Sequence, residues 1–262
     1  MNPMSTHATT TEDTDSARGA HGTHKVVLVT GAGSGIGEAV ARRLAGQGHT
    51  VVLTGRRADR LRAVADELTG VGHTALARTL DVTDRAAFAD LVADVVAEHG
   101  RLDVLVANAG VMLLSRLESL LVEEWDRMFD VNVKGLYNGI AAVLPRFRDL
   151  GSGHVVTIAS IGAREVVPTS AVYSATKFAA RALTEGLRLE SDPSIRVTTV
   201  SPGVVESELA DHITDPHAAG LMVGYRAASI PADAIARAVA YAVDQPADVD
   251  VNEIVVRPAA QR

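Results

Sequence analysis

Seven short apolar, largely β-branched runs recur along the chain: "KVVLVT" (25 to 30), "TVVLTG" (50 to 55), "TALARTLD" (74 to 81), "DVLVANAG" (103 to 110), "HVVTIAS" (154 to 160), "IRVTTVSP" (195 to 202) and "NEIVVRP" (252 to 258). Most are continuous rather than alternating, the pattern of strands covered on both faces, as in a parallel sheet. Between them lie helical periodicities such as "EAVARRLAGQG" (38 to 48), "RADRLRAVADELTG" (57 to 70) and "DRAAFADLVADVVAEHG" (84 to 100). Gly48, Gly70 and Gly100 follow the last helical turns, where C-cap glycines are expected. Strand and helix alternating this regularly predict right-handed β-α-β units in one α/β domain over 25–262, a doubly wound parallel sheet of seven strands with helices on both faces. In such sheets ligands bind beyond the carboxyl ends of the strands, near the point where strand order reverses. The motifs described below all fall at predicted strand ends or on the helix that follows one.

Composition narrows the partners. The segment from Met1 to about His24 is rich in Thr, Ser, Asp, Gly and His, and reads as a flexible tail, neither signal nor transit peptide. No stretch approaches the ~18 apolar residues of a membrane span, so a cytoplasmic protein with no membrane partner is expected. With no cysteine, disulfides, thiolate nucleophiles and Cys-ligated zinc are excluded. A net charge of −7 without a basic block argues against nucleic acid. Among nine histidines no pair has H-E-x-x-H spacing, so no catalytic metal is expected. A small molecule is the partner that remains.

The glycine-rich stretch "VTGAGSGIG" (29 to 37) leads from the first strand into a helix. It fits neither G-x-G-x-x-G nor the P-loop pattern. Backbone N–H groups at a helix start still make a phosphate cradle, although a tight turn of purely structural purpose has the same composition. Thr30, Gly31, Gly35 and Gly37 match T-G-x-x-x-G-x-G, and in this the chain resembles the short-chain dehydrogenase/reductase superfamily of Rossmann-type oxidoreductases, which bind NAD or NADP. The resemblance implies cofactor contacts along Thr30, Gly31, Gly33, Ser34, Gly35, Ile36 and Gly37. At the end of the second strand, "LTGRR" has Gly55 where an acid would hold the ribose hydroxyls of NAD. Arg56 and Arg57 follow and supply two cationic forks for a 2′-phosphate, so NADP is expected, with Arg56 the stronger candidate. A solvated helix start is the alternative reading of both arginines. The resemblance further implies adenine contacts at Asp81 and Val82. In "ANAG" it implies contacts at Asn108, Ala109 and Gly110, with Ala107 replacing the family's first Asn. Pro202, Gly203, Val205 and Ser207 in "SPGVVES" would face the nicotinamide amide, Ser207 standing in for a threonine.

"YSATK" sets Tyr173 and Lys177 four residues apart, on one helical face. Lysine is scarce, three against 22 arginines, so a lysine here is unlike a solubility charge. Its compact ammonium suits hydrogen bonding to a ribose and lowers a neighbouring phenol's pKa. A free tyrosine titrates near ~10, so work near neutrality needs a downward shift of roughly 2 to 3 units. The resemblance implies that Ser160, thirteen residues upstream, donates to the substrate oxygen. It implies also that Asn132 in "DVNVKG" holds, through its backbone, a water in a proton relay to Lys177. Taken singly, Ser160 is open to reading as a strand-end cap, Tyr173 as a surface aromatic and Asn132 as a helix-bending residue.

The implied reaction is hydride transfer between NADP(H) and a small carbonyl or alcohol substrate, with Tyr173 as general acid or base. Residues 207–230 form the expected substrate lid, with Gly220 and Gly224 as hinges. "VMLLS" (111 to 115), Ile161, Gly162 and "VVPTS" (166 to 170) supply a mostly apolar pocket. Arg164, Arg226 and His212 are candidates for holding a carboxylate. "DVNEIVVRPAAQR", "MLL" and "ELADHIT" resemble the NADP-dependent branch that contains hydroxy-acid dehydrogenases and clavulanic acid dehydrogenase. Family members are commonly homotetramers, and the helices around 120–150 and 171–191 carry apolar positions for a homotetramer or homodimer. A second class stays open beside the enzyme: a catalytically silent NADP-binding regulator of the same fold.

Overall fold

A computed structural model describes residues 24–261. All seven strands form: β1 (Val26–Thr30), β2 (Thr50–Gly55), β3 (Ala75–Thr79), β4 (Val104–Ala107), β5 (Gly153–Ile158), β6 (Ile195–Pro202) and β7 (Glu253–Val256). They pair in parallel in the order β3-β2-β1-β4-β5-β6-β7. The chain thus winds outward from β1 to β3, then crosses back to place β4 on the other side of β1. The crevice where order reverses lies between the ends of β1 and β4. Of the expected tail, residues before His24 lie outside the described residues; the His24 ring is 3.0 Å from Thr50 Oγ1.

Helices cover both faces, as continuous apolar strands require. On one face α1 (Gly35–Gly46), α2 (Ala58–Gly70) and α8 (Ala232–Val243) pack Val40, Leu44, Leu61, Val64, Ile235 and Val239 against Val27, Val29, Val51 and Leu53. On the other, α3 (Arg85–His99) and α5 (Gly135–Leu150) bring Phe88, Val92, Val143 and Phe147 against Leu28, Val52, Leu105 and Val155. Each such fully buried Leu, Val or Phe side chain contributes about 1.5–3 kcal/mol of apolar burial. The remaining helices are α4 (Val122–Phe129), α6 (Ala171–Glu190) and α7 (Pro216–Tyr225).

Three expectations need correction. Gly70 is the last residue of α2 rather than its left-handed cap, and Gly72, at φ +90, makes the reversal. The segment around 120–150 is not one helix: a 3₁₀ turn at Leu117–Ser119 precedes α4, and a π-helical turn at Asp130–Lys134 joins α4 to α5. Gly220 and Gly224, expected as hinges, sit inside α7 with no left-handed backbone angle rather than in a loop. That helix starts at Asp215, whose carboxylate accepts from Ala218 N at 2.9 Å and from Ser119 Oγ at 2.8 Å.

Candidate active site

The carboxyl ends of the strands open into a cleft of about 920 Å³. Its glycine wall follows from backbone geometry. Gly31 has φ +66, where a side chain is strained. A Cβ on Gly37 would overlap Gly31 O and the Asn108 amide, so only glycine lets α1 start this close to β1. Gly31, Gly33, Ser34, Gly35 and Ile36 line the cleft, leaving room for a phosphate at the start of α1.

Two residues assigned to the cofactor stand behind that wall instead. Gly37 is buried beneath the loop, for the packing reason just given. Thr30 is also buried, and its hydroxyl accepts from Asn108 N and Ala109 N, both at 3.0 Å. It fastens the end of β1 to the end of β4. Asn108 completes the clasp, donating from Nδ2 to Thr30 O at 2.8 Å. Ala107 in place of asparagine therefore leaves the strand-end hydrogen bonds intact.

Arg56, Arg57, Asp81, Val82, Asn108, Ala109 and Gly110 all line the cleft, as do Pro202, Gly203, Val205 and Ser207. Asp81 Oδ1 accepts from Thr83 N at 3.0 Å and Thr83 Oγ1 at 2.8 Å. Burial works against its ionisation, but these bonds and the nearby Arg56 outweigh it and hold the carboxyl below its ordinary value. Arg57 is already engaged: it donates to Ser34 Oγ at 2.8 Å and pairs with Glu208 Oε2 at 2.8 Å.

At the other end of the cleft stand Ser160, Tyr173 and Lys177. Ser160 follows β5, and its hydroxyl accepts from Gly162 N at 3.0 Å, which fixes it at the cleft floor. Tyr173 and Lys177 rise from α6, with Lys177 Nζ 5.8 Å from the Tyr173 ring centre and donating to Ile158 O at 3.1 Å. Burial pushes the phenol above its ordinary value, opposed by a hydrogen bond with Ser160. Burial also pulls the Lys177 ammonium down to about 8. The depressed phenol expected from sequence is thus not in place in the protein alone.

Asn132 lies in the π turn, outside the main cleft. Its Oδ1 accepts from Val111 N at 2.8 Å, and its Nδ2 donates to Val111 O at 2.9 Å and Thr176 Oγ1 at 3.0 Å. These three bonds commit the side chain fully. A small cavity of about 20 Å³ behind the site touches Asn132, Lys177, Thr157 and Ile158, enough room for one water.

The apolar end of the cleft is lined by Val111 to Leu114, Ile161, Gly162 and Val167 to Ser170, whereas Ser115, also expected there, is buried behind it and Val166 faces outward. Of the three carboxylate candidates, Arg164 is drawn away from the cleft by Glu253 at 2.5 Å. Arg226 lines the cleft but spends its guanidinium on Asp211 at 2.8 Å and Ser207 O at 2.9 Å. Only His212 lines it with no such bond among the described residues. Sequence reasoning gave no role to Glu165 and Glu208, which line the cleft beside Asp81, or to Asn138, whose Nδ2 donates to Val82 O at 3.0 Å and steadies the Asp81 loop. An asparagine within the apolar pattern "YNGIAAV" was the available signal for the last.

Comparison with known proteins shows the family and the fold. The family model for short chain dehydrogenases matches residues 25–218. An uncharacterised oxidoreductase of Listeria monocytogenes is 41% identical over 242 residues, covering 91% of this chain and 98% of the relative. Among solved structures, an alcohol dehydrogenase of the archaeon Thermococcus sibiricus, complexed with 5-hydroxy-NADP, superposes with a TM-score of 0.82 at 33% identity, covering 91% of this chain and 98% of that one. The closed form of a serine dehydrogenase complexed with NADP+ gives 0.82 at 35% identity over 90% and 96%. The chain belongs to the short-chain dehydrogenase/reductase family.

Proposed function

We propose that this protein is an NADP(H)-dependent oxidoreductase acting on a small, mainly apolar carbonyl or alcohol substrate, an aldehyde, ketone or hydroxy acid, with Tyr173 as general acid in reduction and base in oxidation. One observation carries the reading: a single cleft holds a phosphate cradle at one end and Ser160, Tyr173 and Lys177 together at the other. The residues present fit the cofactor: the cleft is lined by Gly31, Gly33 and Gly35, whose lack of side chains lets the loop pack closely against Ala109, Leu61 and Ser207, and by Arg56 and Arg57, two cations for a 2′-phosphate. Bound there, NADP(H) supplies the hydride chemistry. The bound NADP forms of the two structural neighbours support the choice of nucleotide.

The chain's own residues do the rest. Asp81 and Val82 hold the adenine corner; Asn108, Ala109 and Gly110 offer backbone along the ribose side. Pro202, Gly203, Val205 and Ser207 face the carboxamide. Ser160 donates to the substrate oxygen and Tyr173 moves the proton. Lys177, cationic below about pH 8, holds a ribose and steadies the phenolate. The water-sized cavity beside Asn132 gives the proton a route from Lys177 toward the interior. Residues 207–230 act as the lid. The apolar wall favours a compact organic substrate, and His212 is the group left to take a carboxylate.

A catalytically silent NADP-binding regulator is disfavoured, since such a protein has no need to keep Ser160, Asn132, Tyr173 and Lys177 together. Tyr173→Phe separates the two. The expected result is retained NADPH binding with turnover lowered at least about 100-fold, the scale of lost acid catalysis. Unchanged turnover on a panel of aldehydes, ketones and 3-hydroxy acids would defeat the enzyme reading. We further assign the protein to the cytoplasm, as a homotetramer or homodimer without nucleic acid, membrane or metal.

A further inference from the structure

The segment 207–230 begins on top of the glycine loop. A Cβ on Gly35 would meet Ser207 Cβ at 3.2 Å, so Ser207 rests directly on the glycine loop. Glu208, the next residue, starts a 3₁₀ turn and reaches the guanidinium of Arg57 at 2.8 Å, with Arg60 at 3.9 Å. Arg57 in turn donates to Ser34 Oγ within the loop. One carboxylate from the lid therefore sits on a guanidinium that also faces the adenosine end of the cleft.

We propose that Glu208 tunes nucleotide choice by competing with the 2′-phosphate for Arg57. The inference rests on reading Arg56 and Arg57 as the phosphate seat. When the bound adenosine carries no 2′-phosphate, Glu208 keeps its partner and the base of the lid stays fastened to the loop. When it does, the phosphate offers Arg57 a stronger, doubly charged acceptor, and Glu208 either gives way or stays and repels it. Both outcomes weaken NADP relative to NAD, and both make the start of the lid sensitive to which nucleotide is present. The effect is small because the pair is open to water, with Arg57 50% and Glu208 39% exposed at the side chain. Pairs of this kind shift an equilibrium by no more than about fivefold.

The test uses calorimetric titration of the full chain with two probes, 2′,5′-ADP and 5′-AMP. Wild type is expected to prefer 2′,5′-ADP. Glu208→Gln should tighten 2′,5′-ADP about two- to fivefold while leaving 5′-AMP unchanged, and Glu208→Ala should do the same. In an Arg57→Gln background the gain should vanish. The proposal is overturned if either Glu208 variant leaves 2′,5′-ADP unchanged or weaker, if both probes shift equally, or if the gain survives without Arg57. Equal wild-type affinity for the two probes overturns the phosphate-seat reading itself; a wild-type preference that both Glu208 variants leave unmoved overturns the competition alone.

Discussion

Lys177 shows what a single buried cation costs and what that implies for stability. Its folded pKa of about 8 lies below the ordinary 10.5, with burial as the cause. Below pH 8 the group is charged in both folded and unfolded chains, and the folded state bears the full penalty. Between about 8 and 10.5 the unfolded chain holds a proton that the folded one has released, so this group's contribution to stability rises with pH. Lys177→Met should therefore make the cofactor-free protein more stable at pH 7, by up to about 3 kcal/mol, with the advantage shrinking as pH climbs through that window. Chemical denaturation at pH 7 and pH 10 checks this, and an equal gap at both would contradict it. The scarcity of lysine pointed to Lys177 in the sequence, yet the same argument flags Lys25, whose ammonium donates to Val243 O at the end of α8. Rarity marks a residue with a specific duty without saying which. Nor does pattern matching separate a residue that lines a cleft from one that props its wall, which is why the motif alone does not distinguish Thr30 and Gly37 from the glycines in front of them.

At the level of elements, the turn joining β1 to α1 depends on crowding that only some of its glycines feel. Gly37→Ala should lower unfolding free energy by about 1–3 kcal/mol, the usual range for overpacking, and weaken NADPH binding. Gly33→Ala, whose new Cβ would find its nearest neighbour at 3.4 Å, an ordinary contact, is the control for stability and should lose less than Gly37→Ala. Thermal or urea unfolding with an NADPH titration measures both, and equal losses would count against the packing argument. Strands were legible because burial on both faces leaves a continuous apolar run: β2 and β6 match their expected limits residue for residue. The π turn was not, because its cause is tertiary. Asn132 turns inward to grip both backbone groups of Val111, a partner 21 residues away that no local periodicity records. The Arg57 and Glu208 pair was hidden for the same reason, the two lying far apart in sequence and meeting only once the lid folds back over the loop.

For the molecule as a whole, the helices expected to associate carry exposed apolar side chains, Val122 and Phe129 on α4, Leu150 on α5, and Phe178, Leu183 and Leu189 on α6, as do α7 and α8 with Leu221, Val223 and Tyr241. Light scattering should give a mass two or four times the 27.4 kDa of one chain, and a value near 27.4 kDa would refute association. The two halves of the sheet contribute differently to the cleft, the first supplying the glycine loop and the second Ser160, Tyr173 and Lys177, the proposed reacting groups. They meet at the crevice between β1 and β4, which the Thr30 hydroxyl spans by gripping two amides at once. That staple extends the ladder past its last pair. Where the backbone bonds between β1 and β4 stop, one short side chain keeps the two strand ends in register, so the ordering needed to receive a long, flexible dinucleotide is completed during folding, and each binding event has less left to organise.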